Sequence, residues 1–93
     1  MIEFSDGRYR VQGPVTLATV EALLEEGERR FDGREIHVDL AGVTEADSSA
    51  VALLLAWARD AGTRGRRISF ENLNENLRTL ITLYEVGDLL PGA

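Results

Sequence analysis

Apolar and polar residues alternate in four short segments of the chain. The first two lie on either side of Asp6-Gly7, within residues 2–12, and an Asp-Gly pair between alternating segments predicts a β-hairpin. Residues 34–40 and 66–72 alternate in the same way and predict a third and a fourth strand.

Three longer segments carry apolar residues three or four positions apart, which predicts helices. The first covers residues 16–31, with Thr16 placed to cap its start. The second runs from residue 48 to about residue 63. The third is capped by Asn74 and ends before Gly87.

The order of these elements predicts the arrangement of the sheet. Two successive strand-helix-strand crossovers are expected to be right-handed and to make their strands parallel, while the first strand pairs antiparallel with the second. The alternation places Arg10, His37, Asp39 and Arg67 on one polar sheet face. We therefore expect an α/β fold, a single domain over residues 1–93, with four strands in one layer and three helices mainly on one face.

Composition excludes several classes of protein. The chain has 93 residues and a net charge of −6, which disfavours binding to nucleic acid, and it contains neither cysteine nor lysine. Disulfides, cysteine zinc sites, a Walker A loop and a lysine nucleophile are therefore excluded. The longest apolar run is far shorter than the roughly 20 residues of a membrane span, and the first residues lack a secretory pattern. We expect a cytoplasmic protein without direct membrane insertion, cofactor or metal.

The segment EADSSAVALLL, residues 45–55, places two acids and two hydroxyls directly before an apolar helix. Asp47 or Ser48 is a suitable N-cap, and this alone explains part of the pattern. A helix N-terminus at the carboxyl end of a parallel strand is also a usual contact point. An outward-facing Ser48 hydroxyl would suit either a polar docking point, supported by Asp47 and Ser49, or phosphorylation.

The segments HVDLAGVTEADSSAVALLLAWARDAG and LRTLITLYEVGDLLPG resemble a STAS domain, over essentially the whole chain. The Leu-Tyr pair and the Leu-Pro tail are similar to small stand-alone proteins of the MlaB type. That resemblance implies a non-catalytic subunit that binds the ATPase of a phospholipid-transporting ABC system at the inner face of the inner membrane. Ser48 would then lie at the contact with the ATPase.

The related anti-sigma-factor antagonists imply a different role for Ser48. In them a kinase phosphorylates a serine at this position and so ends the binding of the anti-sigma factor. They commonly carry Ser-Gly-Leu-Gly here, whereas this chain has Ser-Ser-Ala-Val from residue 48. The missing glycines would restrict close backbone approach, which favours the transporter subunit over the phosphoserine switch.

Three further residues are candidates for a partner contact. Trp57 and Leu53 fall on a helix stripe beside the one that packs on the sheet, so they either fill the core or anchor a partner. Thr44 lies just before the acidic pair. The single histidine, His37, is expected to be a solvated strand residue because no nucleophile or paired acid accompanies it.

Overall fold

The computed structural model describes residues 1–93. The strands and helices are β1 (Ile2–Ser5), β2 (Arg8–Val11), β3 (Gly13–Val15), α1 (Val20–Arg30), β4 (Glu35–Asp39), β5 (Val43–Ala46), α2 (Ser48–Thr63), β6 (Arg67–Glu71) and α3 (Glu75–Leu83). A 3₁₀ turn at Gly87–Leu89 precedes the last residues.

The main sheet confirms the predicted arrangement. Its strand order is β1-β2-β4-β6, with β1 antiparallel to β2 and the other neighbours parallel. Asp6 and Gly7 both have positive φ, as a two-residue hairpin turn requires. Tyr9, Val38 and Phe70 lie opposite one another across three strands and are all buried, so this row of side chains forms part of the core.

A second, two-stranded sheet was not predicted. β3 pairs parallel with β5, with Val15 opposite Ala46. β3 has three residues, two of which are Gly13 and Pro14, and the four residues of β5 do not alternate because Thr44 and Glu45 are both polar. The small sheet is important for the site because β5 leads directly into α2.

The predicted start of the first helix is wrong. α1 begins at Val20 rather than after Thr16, because residues 16–19 form a separate turn. Within that turn the Thr19 hydroxyl accepts from the Thr16 amide at 3.0 Å and donates to the Pro14 carbonyl at 2.8 Å. α2 has the predicted bounds, and Asn74 caps α3 by accepting from the Leu77 amide at 2.8 Å.

The core lies between the sheet and the helices and consists of 22 buried apolar residues. Tyr9, Phe31 and Trp57 cross it in two successive edge-to-face contacts, with ring centroids 4.9 and 5.0 Å apart. On the opposite sheet face Arg10 and Arg67 are exposed, as predicted, but Asp39 is only 7% exposed. Hydrogen-bond donors surround the Asp39 carboxylate and compensate for its burial.

Candidate functional site

The junction between β5 and α2 is organised by Asp47. One carboxylate oxygen, Oδ1, accepts from the Ser49 amide at 2.8 Å and caps α2. The other, Oδ2, accepts from the Leu17 amide at 3.1 Å, in the turn before α1. The capping residue is therefore Asp47 and not Ser48, and the same carboxylate fixes the turn before α1 beside the start of α2.

Ser48 is the first helical residue, and its side chain is exposed. Its hydroxyl makes no hydrogen bond with protein atoms, so it is available to an incoming group. Ser49 is half-buried one position further along the helix, and Thr44 is exposed on β5. The structure thus places Asp47, Ser48 and Ser49 together at the start of α2, and Thr44 lies on the strand that leads into this helix.

The hydrogen bond from the Leu17 amide, with those from Ser49, holds the pKa of Asp47 below its usual range, despite partial desolvation that acts in the opposite direction. Asp47 is therefore ionised at neutral pH. A negative charge placed on Ser48 would meet this carboxylate, and the Ser49 amide already donates to Asp47.

Leu17 and Asn76 complete the site and were not predicted. The Leu17 side chain is a large apolar group that is 78% exposed, and the backbone amide of the same residue donates to the Asp47 carboxylate. Asn76, on α3, donates from Nδ2 to the Ala46 carbonyl at 2.9 Å and so fixes the end of β5. We use the name Ser48 surface for the exposed residues Leu17, Thr44 and Ser48 together with the half-buried Asp47 and Ser49.

Trp57 and Leu53 do not belong to this surface, so the alternative in which they anchor a partner is corrected. Each side chain is only 2% exposed. Trp57 is covered by α1, where Gly27 leaves room for the indole, and it packs on Phe31. Both residues therefore fill the core, which was the other interpretation of the same stripe.

His37 has polar neighbours on the sheet face opposite the helices. Its Nδ1 lies 3.1 Å from the Ser69 hydroxyl and 3.3 Å from Glu71 Oε2. In a nucleophile-base-acid triad the hydroxyl and the carboxylate contact opposite ring nitrogens, whereas here both contact the same one.

No group of three or more histidine or acidic residues is placed to hold a metal ion. None of the helices combines the length and the apolar character needed to cross a bilayer.

Comparisons with solved structures show where this fold recurs. The anti-sigma factor antagonist SpoIIAA in its unphosphorylated form is similar with a TM-score of 0.74 and 18% identity, covering 97% of this chain and 84% of that one. A sulfate transporter family protein from Wolinella succinogenes has a TM-score of 0.70 and 13% identity, covering 94% and 75%. A structure described as Mglu has a TM-score of 0.63 and 23% identity over 81% of this chain, which spans only 20% of that chain.

A search of curated protein sequences gave no significant match. The family model STAS_2, described as "Mlab, STAS domain", matches residues 2–91. STAS domains are in general non-catalytic domains that mediate contacts between proteins. The whole-chain match and the four-stranded sheet with three helices together establish that this chain belongs to the STAS_2 family of STAS domains.

Proposed function

We propose that this protein is a non-catalytic binding subunit that docks through the Ser48 surface onto the ATPase subunit of a phospholipid-transporting ABC system and supports its assembly or activity. The family match over residues 2–91 supports the class of complex. The single observation that carries the docking site is the exposed, unbonded Ser48 hydroxyl at the first turn of α2.

The chemistry of the Ser48 surface suits a protein partner. Leu17 offers an exposed apolar anchor, and the exposed hydroxyls of Ser48 and Thr44 can donate and accept hydrogen bonds. An apolar centre with a polar rim is the usual composition of a protein interface. The hydrogen bonds that Asp47 accepts from Leu17 and Ser49 hold the turn before α1 and the start of α2 in place before binding, which lowers the entropic cost of association.

The test is the affinity for a candidate ATPase subunit, chosen from the genes next to that of this chain. Ser48→Glu places a charge beside Asp47 inside the proposed contact, so we expect binding to weaken at least about tenfold. Leu17→Ser is expected to weaken it similarly by removing the apolar anchor. Isothermal titration calorimetry measures both variants.

The matched control is Thr63→Glu, which adds the same charge to an exposed position at the other end of α2. We expect its affinity to stay within about twofold of the unchanged protein. If Ser48→Glu and Leu17→Ser bind as well as Thr63→Glu, the ATPase does not dock on the Ser48 surface.

A second candidate function is that of an anti-sigma-factor antagonist switched by phosphorylation of Ser48. The whole-chain likeness to SpoIIAA, which also has a solved phosphorylated form matched at a TM-score of 0.65 and 19% identity, favours it. The exposed hydroxyl is accessible to a kinase. The ionised Asp47 carboxylate and the absence of glycines after Ser48 disfavour it.

Incubation with a candidate anti-sigma kinase and ATP distinguishes the two functions. The antagonist function predicts the gain of one phosphoryl group by mass spectrometry, and its loss in Ser48→Ala but not in Ser49→Ala. The same kinase leaving the protein unmodified, together with tight ATPase binding, would eliminate the antagonist function.

A further inference from the structure

A groove of about 560 Å³ opens beside the edge strand β6, at the end of α2 away from Ser48. Ligand sites for small molecules typically occupy about 300–1,000 Å³ and are mainly apolar with a few placed polar groups. Gly62 lies 14 positions after Ser48, which corresponds to about 21 Å along the helix. The groove is therefore separate from the Ser48 surface.

Two small residues on α2, Ala58 and Gly62, leave the space for the apolar part of the groove. Its apolar lining consists of Ile36, Ala58, Gly62, Ile68, Leu89 and Pro91. A Cβ at Gly62 would meet no atom within 4 Å, so the space beside the helix is open. A flexible alkyl chain can fill such a space and remove apolar surface from water.

An unpaired strand edge provides a backbone donor. The Phe70 amide donates outward to the Pro91 carbonyl at 2.9 Å, so the tail covers β6 at that residue. Alternate residues of a strand point their backbone groups in the same direction, so the Ile68 amide also points outward, away from β4. No turn or tail residue accepts from it.

Two guanidinium groups flank this edge. Arg67 is exposed and forms no ion pair, and Arg66 donates to the Phe31 carbonyl at 3.0 Å rather than to a carboxylate. Glu35 is the one acid in the lining, so the groove carries a net positive charge in a protein whose net charge is −6. Charge complementarity therefore favours an anion.

We propose that this groove binds a single-chain amphiphile with an anionic head group, a fatty carboxylate or an alkyl phosphate. The alkyl chain lies along Ala58 and Gly62, and the head group accepts from the Ile68 amide and Arg67. The combination of an apolar channel, one free amide and a lining with net positive charge carries this assignment, which goes beyond the proposed docking function and does not depend on it.

The experiment titrates the protein with dodecanoate, dodecyl phosphate and dodecyltrimethylammonium, each below its micelle concentration, and follows backbone amide shifts by NMR. We expect saturable shifts at Gly62 and Ile68 with the two anions. Binding weakens about tenfold or more in Gly62→Leu, which fills the open space, and several-fold in Arg67→Gln, which removes the cation. Acetate and inorganic phosphate, which lack the chain, bind far more weakly.

Matched controls are Thr63→Leu and Arg59→Gln, exposed positions on the same helix outside the groove, which should leave affinity within about twofold. Tighter binding of dodecanoate indicates a fatty acid, and tighter binding of dodecyl phosphate indicates a phosphomonoester lipid; both support the proposal. Equal binding of the cationic amphiphile, unchanged affinity in both Gly62→Leu and Arg67→Gln, or no saturable shift with either anion overturns it. Arg67→Gln keeps the test valid if the leucine variant is unstable.

Discussion

Gly27 determines how closely α1 approaches α2. A Cβ built at this position would overlap Trp57, with Cε2 only 2.7 Å away. The Trp57 indole nitrogen is buried there without a hydrogen-bond partner, which costs free energy unless the packing around the ring compensates. The absence of a side chain at residue 27 is therefore what allows Trp57 to fill the core.

Gly27→Ala is expected to destabilise the protein although alanine is the better helix former. Replacing glycine within a helix gains at most about 1 kcal/mol, whereas overpacking a core costs about 1–3 kcal/mol. Urea unfolding measures the net loss. Gly62→Ala is the control, because its Cβ meets no atom within 4 Å and its stability should rise by up to about 1 kcal/mol. Equal stabilisation by both alanines would contradict the close contact.

Strands β2, β4 and β6 are joined at one end by Asp39. Its Oδ1 accepts from the Ala41 amide at 2.9 Å and from Asn72 Nδ2 at 3.0 Å, and Oδ2 lies 3.4 Å from Arg10 Nε. Burial acts to raise the pKa of Asp39, but the bonds from Asn72 and Ala41 and the charge of Arg10 outweigh it, so the pKa lies below the ordinary 3.8.

A carboxyl group whose pKa is lower in the folded state stabilises the protein above its unfolded pKa. We therefore expect the free energy of unfolding to fall as the pH drops below about 4, where Asp39 and Asp47 become protonated. Urea unfolding at several values between pH 2 and pH 7 measures this. Asp39→Asn should reduce the pH dependence of the free energy of unfolding. Asp88→Asn, at an exposed position without a side-chain hydrogen bond, should leave this pH dependence unchanged. Equal pH dependence in the unchanged protein, Asp39→Asn and Asp88→Asn would refute this role of Asp39.

The C-terminal tail is fixed to the fold by one of two adjacent leucines. Leu90 is 1% exposed, whereas Leu89 is 61% exposed. We expect Leu90→Ala to cost about 2 kcal/mol or more in urea unfolding, because it leaves a cavity under the tail. Leu89→Ala should change stability by less than about 0.5 kcal/mol. Similar losses in the two variants would show that the tail does not pack through Leu90.

The elements that the sequence predicts correctly are those that display a period, and this includes the four-residue strands β1 and β2, which flank an Asp-Gly turn. β4 and β6 have five residues each, and α2 has sixteen. β3 and β5 show no alternation, because β3 contains Gly13 and Pro14 and because Thr44 and Glu45 in β5 are both polar. The start of α1 was predicted wrongly because Thr16 is a suitable cap by residue type, whereas bonds of the Thr19 hydroxyl to Thr16 and Pro14 hold residues 16–19 in a separate turn.

The candidate site was predictable only where it follows from local sequence. The position of Asp47 and Ser48 between a strand and an apolar helix indicates the junction by itself. Leu17 reaches it through a bond between residues 30 positions apart, which no local pattern reports. The burial of Trp57 depends on the missing side chain of Gly27 on another helix, so the helix stripe alone left two interpretations open.

At the scale of the whole molecule, the two ends of α2 carry different chemistry. The N-terminal end presents hydroxyls, Leu17 and an ionised Asp47, and the C-terminal end borders an apolar groove with two arginines. They are separated by about 21 Å along a helix packed in a core, in a molecule that measures 30 × 25 × 22 Å. No residue belongs to both the Ser48 surface and the groove lining.

Substitutions at the two ends are therefore expected to act independently. Binding of the candidate ATPase subunit is measured for Ser48→Glu, Gly62→Leu and the double variant by calorimetry, which completes a double-mutant cycle. Sites more than about 7–10 Å apart without shared partners usually add within about 0.3–0.5 kcal/mol, so the coupling should not exceed that range. A larger coupling would mean that the ATPase covers both ends of α2 or that α2 changes its packing on binding. Repeating the cycle with Thr63→Leu in place of Gly62→Leu distinguishes these two explanations. Only an ATPase that reaches the C-terminal end of α2 would contact the exposed residue 63.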